Sequence, residues 1–215
     1  MSSQIELIVL DFDGVVIESN DIKTQAFEKV FSQFPQYKDA MMQFHSDNVS
    51  ISRVEKFNYL TKLMGRGTDT KLKADMASNF SQHVLEDILT VRLVKGAERF
   101  LKMFKGQMPL YLASVTPTNE LNEILEKRGL LHWFDGVYGC PPWTKANAIR
   151  DILSRNSIAP KNGLLIGDSA GDQRAALETG IQFMARDSGL KFDEIPPLFF
   201  LDLDEIADHL GGILK

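Results

Sequence analysis

The chain has 215 residues, of which 44% are hydrophobic, and a formal net charge of -5. This length and apolar content suffice for one substantial core and a small accessory domain. The negative charge gives no general attraction to nucleic acid or anionic membranes, so neither is expected as a partner. The lone Cys140 excludes an intramolecular disulfide, and the sequence shows no membrane-length apolar stretch and no basic-then-apolar leader. We therefore expect a cytoplasmic protein, and the sequence leaves its oligomeric state open.

The first predicted element is the apolar run 5–10, which leads into Asp-Phe-Asp-Gly at positions 11–14. A near-continuous hydrophobic run is typical of a strand buried on both faces of a parallel sheet. Ligands bind at the carboxyl ends of such strands, so two carboxylates are expected at a ligand site. While the chain stays extended, Asp11 and Asp13 share one face, which suits one as a nucleophile or metal ligand and the other for proton exchange.

Residues 20–93 show helical periodicity and no convincing buried strand. Two apolar stripes predict helices, one at Ala26, Phe27, Val30, Phe31 and Phe34, the other at Val54, Phe57, Leu60 and Leu63. A further helix is predicted over about 69–89. The chain is therefore predicted to form two domains, 18–93 and the combination of 1–17 with 94–215.

The second core strand is predicted at 109–113, and it runs into a junction rich in hydroxyl groups. A hydroxyl followed by backbone N–H groups at a strand-to-helix junction can bind an oxyanion or a phosphate. We assign this role to Ser114 and to Val115. Thr116, just before Pro117, is predicted to be the N-cap of the next helix.

Two further polar motifs follow. Lys145 is at the predicted start of an amphipathic helix, where the helix dipole disfavours positive charge, so an anionic partner is expected. The apolar run 164–166 leads into Gly-Asp-Ser-Ala-Gly-Asp at 167–172. Asp168 and Asp172 can converge on one face when the helix begins early. Like charges at that distance favour a bound cation.

The remaining pattern completes an alternation of strands and helices. Strands are predicted at 137–139, 181–185 and 199–201, with helices at 119–128 and 175–178 and a short final helix. This order favours an α/β fold, a Rossmann-like doubly wound parallel sheet with a helical insert after the first strand.

In order and spacing, the four polar motifs resemble those of the haloacid dehalogenase superfamily, and the helical insert resembles the C1 cap of its phosphoglycolate phosphatase-like members. Most members are magnesium-dependent phosphohydrolases, which implies Mg²⁺ as the cofactor and a small phosphorylated substrate. The resemblance implies Asp11 as the nucleophile and Asp13 as the general acid/base. It further implies that Asp11, Asp168 and the backbone carbonyl of Asp13 hold the metal. Asp172 would support the metal or Lys145.

The motifs of the core recognise only phosphate and metal, so polar residues of the helical insert are the candidates for recognising the leaving group. These candidates are Asn20, Lys23, His45, Arg53 and Lys56. A second anionic group of the substrate would suit Arg53 and Lys56, whereas the competing interpretation is a solvated charge on a helix face. His45 is compatible either with a donor to substrate or with a buried, satisfied histidine.

Three alternatives remain beside a phosphatase. A β-phosphoglucomutase-like phosphotransferase would use the same two aspartates and differ in whether water or a sugar hydroxyl accepts the phosphoryl group. A dehalogenase needs no second acid, so Asp13 argues against it. A non-catalytic phospholigand-binding module is disfavoured because no reacting group is missing.

Overall fold

The computed structural model describes residues 5–213. Its strands are β1 Leu7–Leu10, β2 Leu110–Ser114, β3 Gly136–Gly139, β4 Gly163–Gly167, β5 Gln182–Arg186 and β6 Phe199–Phe200. They form one sheet of parallel pairs in the order β3-β2-β1-β4-β5-β6. Along the chain, β2 and β3 are added on one side of β1, and β4, β5 and β6 are then added on its other side. This reversal creates a switch point between β1 and β4, where open α/β sheets bind ligands.

The helices either follow a strand of the sheet or lie between β1 and β2, in or after the helical insert. They are α1 Asn20–Phe31, α2 Lys38–Asp47, α3 Arg53–Leu63, α4 Thr70–Thr90, α5 Ala97–Phe104, α6 Thr118–Lys127, α7 Lys145–Arg155, α8 Ala170–Thr179 and α9 Leu203–Ile213. The predicted α/β class with a helical insert after the first strand is confirmed. Helix α2 has no apolar stripe that would predict it, because its buried side chains, Met41 and His45, are too few.

The chain divides into two compact units. The first runs through Glu18 and resumes at Arg92, and the second is Ser19–Val91. The first unit contains the sheet and α5 to α9, and the second contains α1 to α4. The ends of the predicted first domain, 1–4 and 214–215, lie outside the described residues.

The sheet is built around β1, whose four residues are fully buried. Leu7 to Leu10 pair with β4, and Ile8 to Leu10 pair with β2. The side chains of Leu7 and Val9 pack in a cluster with residues of α7, including Ile149 and Ile152. Burial on both faces explains why β1 reads as a continuous apolar run.

The helical unit has an aromatic core. Phe27 of α1 lies with its ring centroid 4.4 Å from that of Phe80 of α4 and 6.0 Å from that of Phe57 of α3. The predicted stripe of α3 is partly wrong, since Val54 and Leu63 are each 44% exposed. Phe34, also assigned to a stripe, follows the end of α1 and is only partly buried.

The buried face of α3 includes two polar residues, Lys56 and Thr61, beside Phe57 and Leu60. It is therefore rotated from the apolar stripe that hydrophobic spacing alone predicts. Among residues 5–213, none of the helices combines the length and apolarity needed to cross a membrane.

Candidate active site

Three buried carboxylates converge at the switch point of the sheet. Asp11 directly follows β1, Asp168 directly follows β4, and Asp172 lies in the first turn of α8. One oxygen of each carboxylate lies within 4.8 Å of the others. This convergence follows from parallel pairing of β1 with β4, which brings their carboxyl ends to the same edge.

The Asp172 carboxylate is fixed by its own loop. Its Oδ2 accepts hydrogen bonds from the Ser169 hydroxyl at 2.6 Å and from the backbone N–H groups of Asp168 and Ser169 at 3.3 and 3.2 Å. The close approach requires glycine at the end of β4, because a Cβ on Gly167 would lie 2.3 Å from the Cβ of Asp172. Asp172 is therefore held in one orientation with its Oδ1 directed to another partner.

That partner is Lys145, the first residue of α7. Its ammonium lies 3.0 Å from Asp11 Oδ1 and also contacts Asp172 Oδ1. The side chain is only 10% exposed. The anionic neighbours expected from the position of this lysine are thus two carboxylates of the same site.

Burial and the neighbouring charges together shift the pKa values of Lys145 and Asp11. Burial lowers the pKa of Lys145, but attraction to Asp11 and Asp172 outweighs it and holds the pKa above its usual value. Burial raises the pKa of Asp11 well above its usual value; Lys145 opposes this, while the neighbouring carboxylates add to it. One ammonium does not neutralise the clustered carboxylates, so an additional cation would favour ionised Asp11.

The Asp13 carboxylate is held by two hydroxyl groups from the end of β2. Its Oδ2 accepts from Ser114 Oγ at 3.4 Å and from Thr116 Oγ1 at 3.2 Å. The Thr116 backbone N–H donates to Ser114 Oγ at 3.1 Å. Val115, between the two, is partly buried. The structure thus brings the second motif to the first, as parallel pairing of β1 and β2 requires.

The prediction that Thr116 caps the next helix is wrong. Pro117 occupies the N-cap position of α6, and the buried Thr116 hydroxyl reaches Asp13 instead. Because Pro117 lacks a side-chain acceptor, the cap position is left without a side-chain hydrogen bond. The sequence carries no local signal for this contact, because Thr116 lies in the bend after β2 and its partner Asp13 is 103 positions away.

The donor set fits a hard divalent cation. Asp11, Asp168 and Asp172 offer carboxylate oxygens from a buried position, and oxygen ligands are those that Mg²⁺ prefers. The family-based assignment of the Asp13 backbone carbonyl as a further ligand stays a prediction.

In the helical unit, Lys56 and His45 form a buried hydrogen-bond chain. Lys56 Nζ donates to the Val49 carbonyl at 3.1 Å and lies 2.8 Å from His45 Nδ1. It also lies 4.6 Å from the Phe27 ring centroid. His45 Nε2 is 3.1 Å from the Thr24 hydroxyl. These contacts connect α3, α2 and α1, and both titratable side chains are engaged within the unit.

The other candidates in the helical unit are partly buried. Arg53 donates to Ser81 Oγ at 3.0 Å, and its guanidinium lies 5.3 Å from the Phe80 ring centroid. Asn20 begins α1, and its carbonyl accepts from the Thr24 hydroxyl. Lys23 lies one turn further along the helix. Contact of any of these side chains with substrate stays a prediction.

Burial shifts the pKa values of both Lys56 and His45. Burial and, to a smaller extent, the charge of Lys23 lower the pKa of Lys56 to about 7, and the charge of Glu55 partly opposes this shift. Burial, followed by the charge of Lys56, lowers the pKa of His45 to about 4. The ammonium form of Lys56 is therefore costly in the folded protein.

We expect Lys56→Met to flatten the pH dependence of stability above neutrality. Unfolded Lys56 binds its proton below about pH 10.4, and folded Lys56 binds it only below about pH 7. In that window the unfolded state binds more protons, so the free energy of unfolding rises with pH by up to about 1.4 kcal/mol per pH unit from this group. Urea unfolding of wild type and variant between these pH values measures the difference in slope.

The matched control is Lys62→Met, which alters an exposed lysine on the same helix. It should retain the wild-type slope. A wild-type slope in Lys56→Met as well would contradict the lowered pKa.

Fold and site together define a Rossmann-like α/β enzyme whose carboxylates and lysine meet at the switch point. Residues 8–186 match the sequence model of the haloacid dehalogenase-like hydrolase family. Because this match spans most of the chain, the protein belongs to that family, which confirms the predicted membership and the prediction of a hydrolytic enzyme.

Three known proteins illustrate the similarity. Phosphoglycolate phosphatase of Vibrio cholerae serotype O1 is 20% identical, over 98% of this chain and 96% of its own length. That of Aliivibrio fischeri is 22% identical, over 100% and 97%. The crystal structure of β-phosphoglucomutase from Clostridium difficile has a TM-score of 0.74 at 15% identity, covering 98% of this chain and 99% of that one. At this identity, the structural likeness demonstrates the shared fold alone.

Proposed function

We propose that the chain is a Mg²⁺-dependent phosphatase that hydrolyses a small phosphorylated metabolite through an aspartyl-phosphate on Asp11. The supporting observation is the Lys145 ammonium placed 3.0 Å from Asp11 Oδ1, within a cluster of carboxylates at the switch point. A lone buried carboxylate repels a phosphate dianion. An adjacent lysine and a bound cation reduce this repulsion, so that the carboxylate can approach the phosphate dianion.

The phosphoryl group would be bound by groups from two strands and a helix. Ser114 Oγ and the backbone N–H groups that follow β2 would donate to its oxygens, and Lys145 would neutralise part of its charge. Bound Mg²⁺ would supply further charge neutralisation, held by Asp11, Asp168 and the Asp13 carbonyl. Asp172 would maintain the position of Lys145, as its contact with the ammonium indicates.

The proton transfers would fall to Asp13. An Asp11 oxygen would attack phosphorus and displace the alkoxide of the substrate, which Asp13 would protonate. Asp13 would then accept a proton from the water that hydrolyses the aspartyl-phosphate. The hydrogen bond from Thr116 to Asp13 Oδ2 would fix the orientation of the carboxyl group during both steps, while the single hydroxyl proton of Ser114 is donated to the phosphate.

The first substrate to test is phosphoglycolate, because two relatives similar over nearly their whole lengths bear that activity in their names. We propose that the helical unit serves as the cap that recognises the leaving group, with Asn20, Lys23 and Arg53 as its partly buried candidates. Lys56 and His45 would act by ordering this unit, as their mutual hydrogen bond indicates. We also propose a cytoplasmic location and no nucleic-acid partner, in keeping with the net charge of -5 and the single cysteine.

A substrate screen decides between a hydrolase and a mutase. Purified protein with Mg²⁺ should release inorganic phosphate from its best substrate in a one-to-one ratio with the dephosphorylated product. Phosphoglycolate, sugar phosphates and nucleotides form the panel, and Asp11→Asn serves as the control for contaminating phosphatases.

The mutase alternative is kept because the fold is shared with a β-phosphoglucomutase. Isomerised phosphosugar without phosphate release would establish that alternative. Binding of phosphorylated ligands without turnover of any of them would favour the non-catalytic module.

A further inference from the structure

Arg186, the last residue of β5, has a buried guanidinium with partners on several segments. Its Nη1 donates to the Gly14 carbonyl and to Glu18 Oε2, both at 3.1 Å, and its Nη2 donates to Glu18 Oε1 at 2.6 Å. Its Nε donates to the Leu201 carbonyl at 3.2 Å. The Arg186 side chain is 10% exposed, and that of Glu18 is 24% exposed. This is a bidentate, largely desolvated ion pair with an added backbone contact.

The partners of Arg186 lie on the segment that follows the proposed nucleophile. Gly14 comes directly after Asp13 and has a φ of 72°, a conformation that glycine adopts without steric cost. Its N–H donates to the Ile17 carbonyl at 2.8 Å, which closes a turn. Arg186 therefore binds the carbonyl of the first residue of this turn and the carboxylate of Glu18, the residue that directly follows the turn.

The same segment pairs with the chain where it returns to the first unit. The Glu18 N–H donates to the Arg92 carbonyl at 3.1 Å, and the Val94 N–H donates to the Val16 carbonyl at 3.0 Å. Ile17 and Leu93 form an isolated antiparallel bridge between these hydrogen bonds. Residues 14–18 and 92–94 form a short ribbon, and Arg186 attaches the ribbon to the sheet.

The energetics of a buried ion pair point to a role beyond stability. Desolvating a guanidinium and a carboxylate offsets most of their attraction, and apolar side chains of similar volume often stabilise a fold equally well. A bidentate pair differs from apolar packing in fixing an orientation. The Gly14 backbone is the segment that this restraint acts on, because glycine has the most backbone freedom of any residue and Gly14 directly follows Asp13.

We propose that Arg186 is a positioning residue that acts through Gly14 and Glu18 to hold Asp13 in place for proton transfer. Strand β5, paired on one side with β4 and on the other with β6, provides the rigid support. This inference rests on the proposed function, because it assigns Asp13 the proton transfers.

The kinetic test uses leaving groups of different basicity. Single-turnover release of the leaving group is measured for an alkyl phosphate, which needs a proton from Asp13, and for p-nitrophenyl phosphate, whose phenolate leaves without one. In Arg186→Met, the alkyl phosphate should lose about 100-fold in rate, against less than about 3-fold for the aryl phosphate. KM for the aryl phosphate should stay near the wild-type value.

Two conservative variants allow the same test if Arg186→Met does not fold. Glu18→Gln retains the hydrogen bond from Arg186 to the Gly14 carbonyl, and Arg186→Lys retains the positive charge without the bidentate geometry. Both should give the same leaving-group dependence at a smaller amplitude. The matched control is Arg174→Ala, which removes an exposed arginine bound to both carboxylate oxygens of Asp193. It should leave both rates unchanged.

A second readout does not depend on activity. Amide hydrogen exchange should accelerate in residues 14–18 of the Arg186 variants, with strand β4 unchanged as the internal reference. Equal rate losses on the two phosphates would overturn the inference, since general destabilisation does not distinguish leaving groups. Unchanged exchange at 14–18 would also overturn it, whatever the activity. If wild type released phosphate from no ester, the proposed function would fail, and the exchange data alone would decide whether Arg186 anchors the turn.

Discussion

Asp11→Asn is expected to abolish turnover of every phosphate ester while leaving the fold intact. An amide is a far poorer nucleophile than a carboxylate, so the rate of phosphate release should fall by about 10⁴-fold or more. The substitution preserves size and shape, and an amide oxygen can still accept the Phe12 N–H that now donates to Asp11 Oδ1 at 2.7 Å. Phosphate release is measured with the best metabolite and with p-nitrophenyl phosphate, and circular dichroism checks the fold.

The control for this change is Asp193→Asn, which makes the same substitution at an exposed aspartate of the same unit. It should keep full activity. Substantial turnover of the aryl phosphate by Asp11→Asn would refute the covalent mechanism. Rapid quenching followed by mass spectrometry should also detect a phosphorylated Asp11 peptide in wild type and not in the variant.

Asp168→Ala is expected to weaken Mg²⁺ binding and activity together. Asp168 is 2% exposed and contributes one of the three convergent carboxylates. Loss of a direct carboxylate ligand should reduce Mg²⁺ affinity by about 100-fold or more. Titration calorimetry gives the affinity, and the rise in melting temperature on adding Mg²⁺ reports binding independently of turnover.

Chelation provides the complementary experiment on the unaltered protein. Excess chelator should abolish the activity of the wild-type protein, and added Mg²⁺ should restore this activity. Asp193→Asn should bind Mg²⁺ as wild type does, because its carboxylate is on the surface. Undiminished activity in excess chelator would point to a different chemistry at this site.

Much of the fold was predictable because its signals are local. The buried strands β1 and β4 read as apolar runs since both of their faces are covered, and each ends in acid and glycine at the switch point. Helix α3 was identified from its spacing, but its buried face was misplaced because Lys56 replaces an apolar residue there. A buried lysine is indistinguishable in sequence from a solvated one, and only its partners His45 and Val49 reveal its position.

The hydroxyl groups near the site also show that local patterns do not predict contacts between residues far apart in sequence. Ser114 was assigned from its place at the end of a strand, which is a local feature. Thr116 was misassigned as a helix cap, because its hydrogen bond to Asp13 joins residues 103 positions apart. Parallel pairing of β1 with β2 produces this contact, and no local pattern encodes it.

The α/β class, the helical insert and the identity of the polar groups at the strand ends could be predicted from local patterns, because hydrophobic periodicity and turn residues act over a few positions. Which of these groups touch is known only from the three-dimensional structure. It placed Lys145 between Asp11 and Asp172, and it placed Arg186 on a carbonyl 172 positions earlier in the chain. The physical reason is that hydrogen bonds and ion pairs depend on distances in space, and the stacking order of the strands sets these distances.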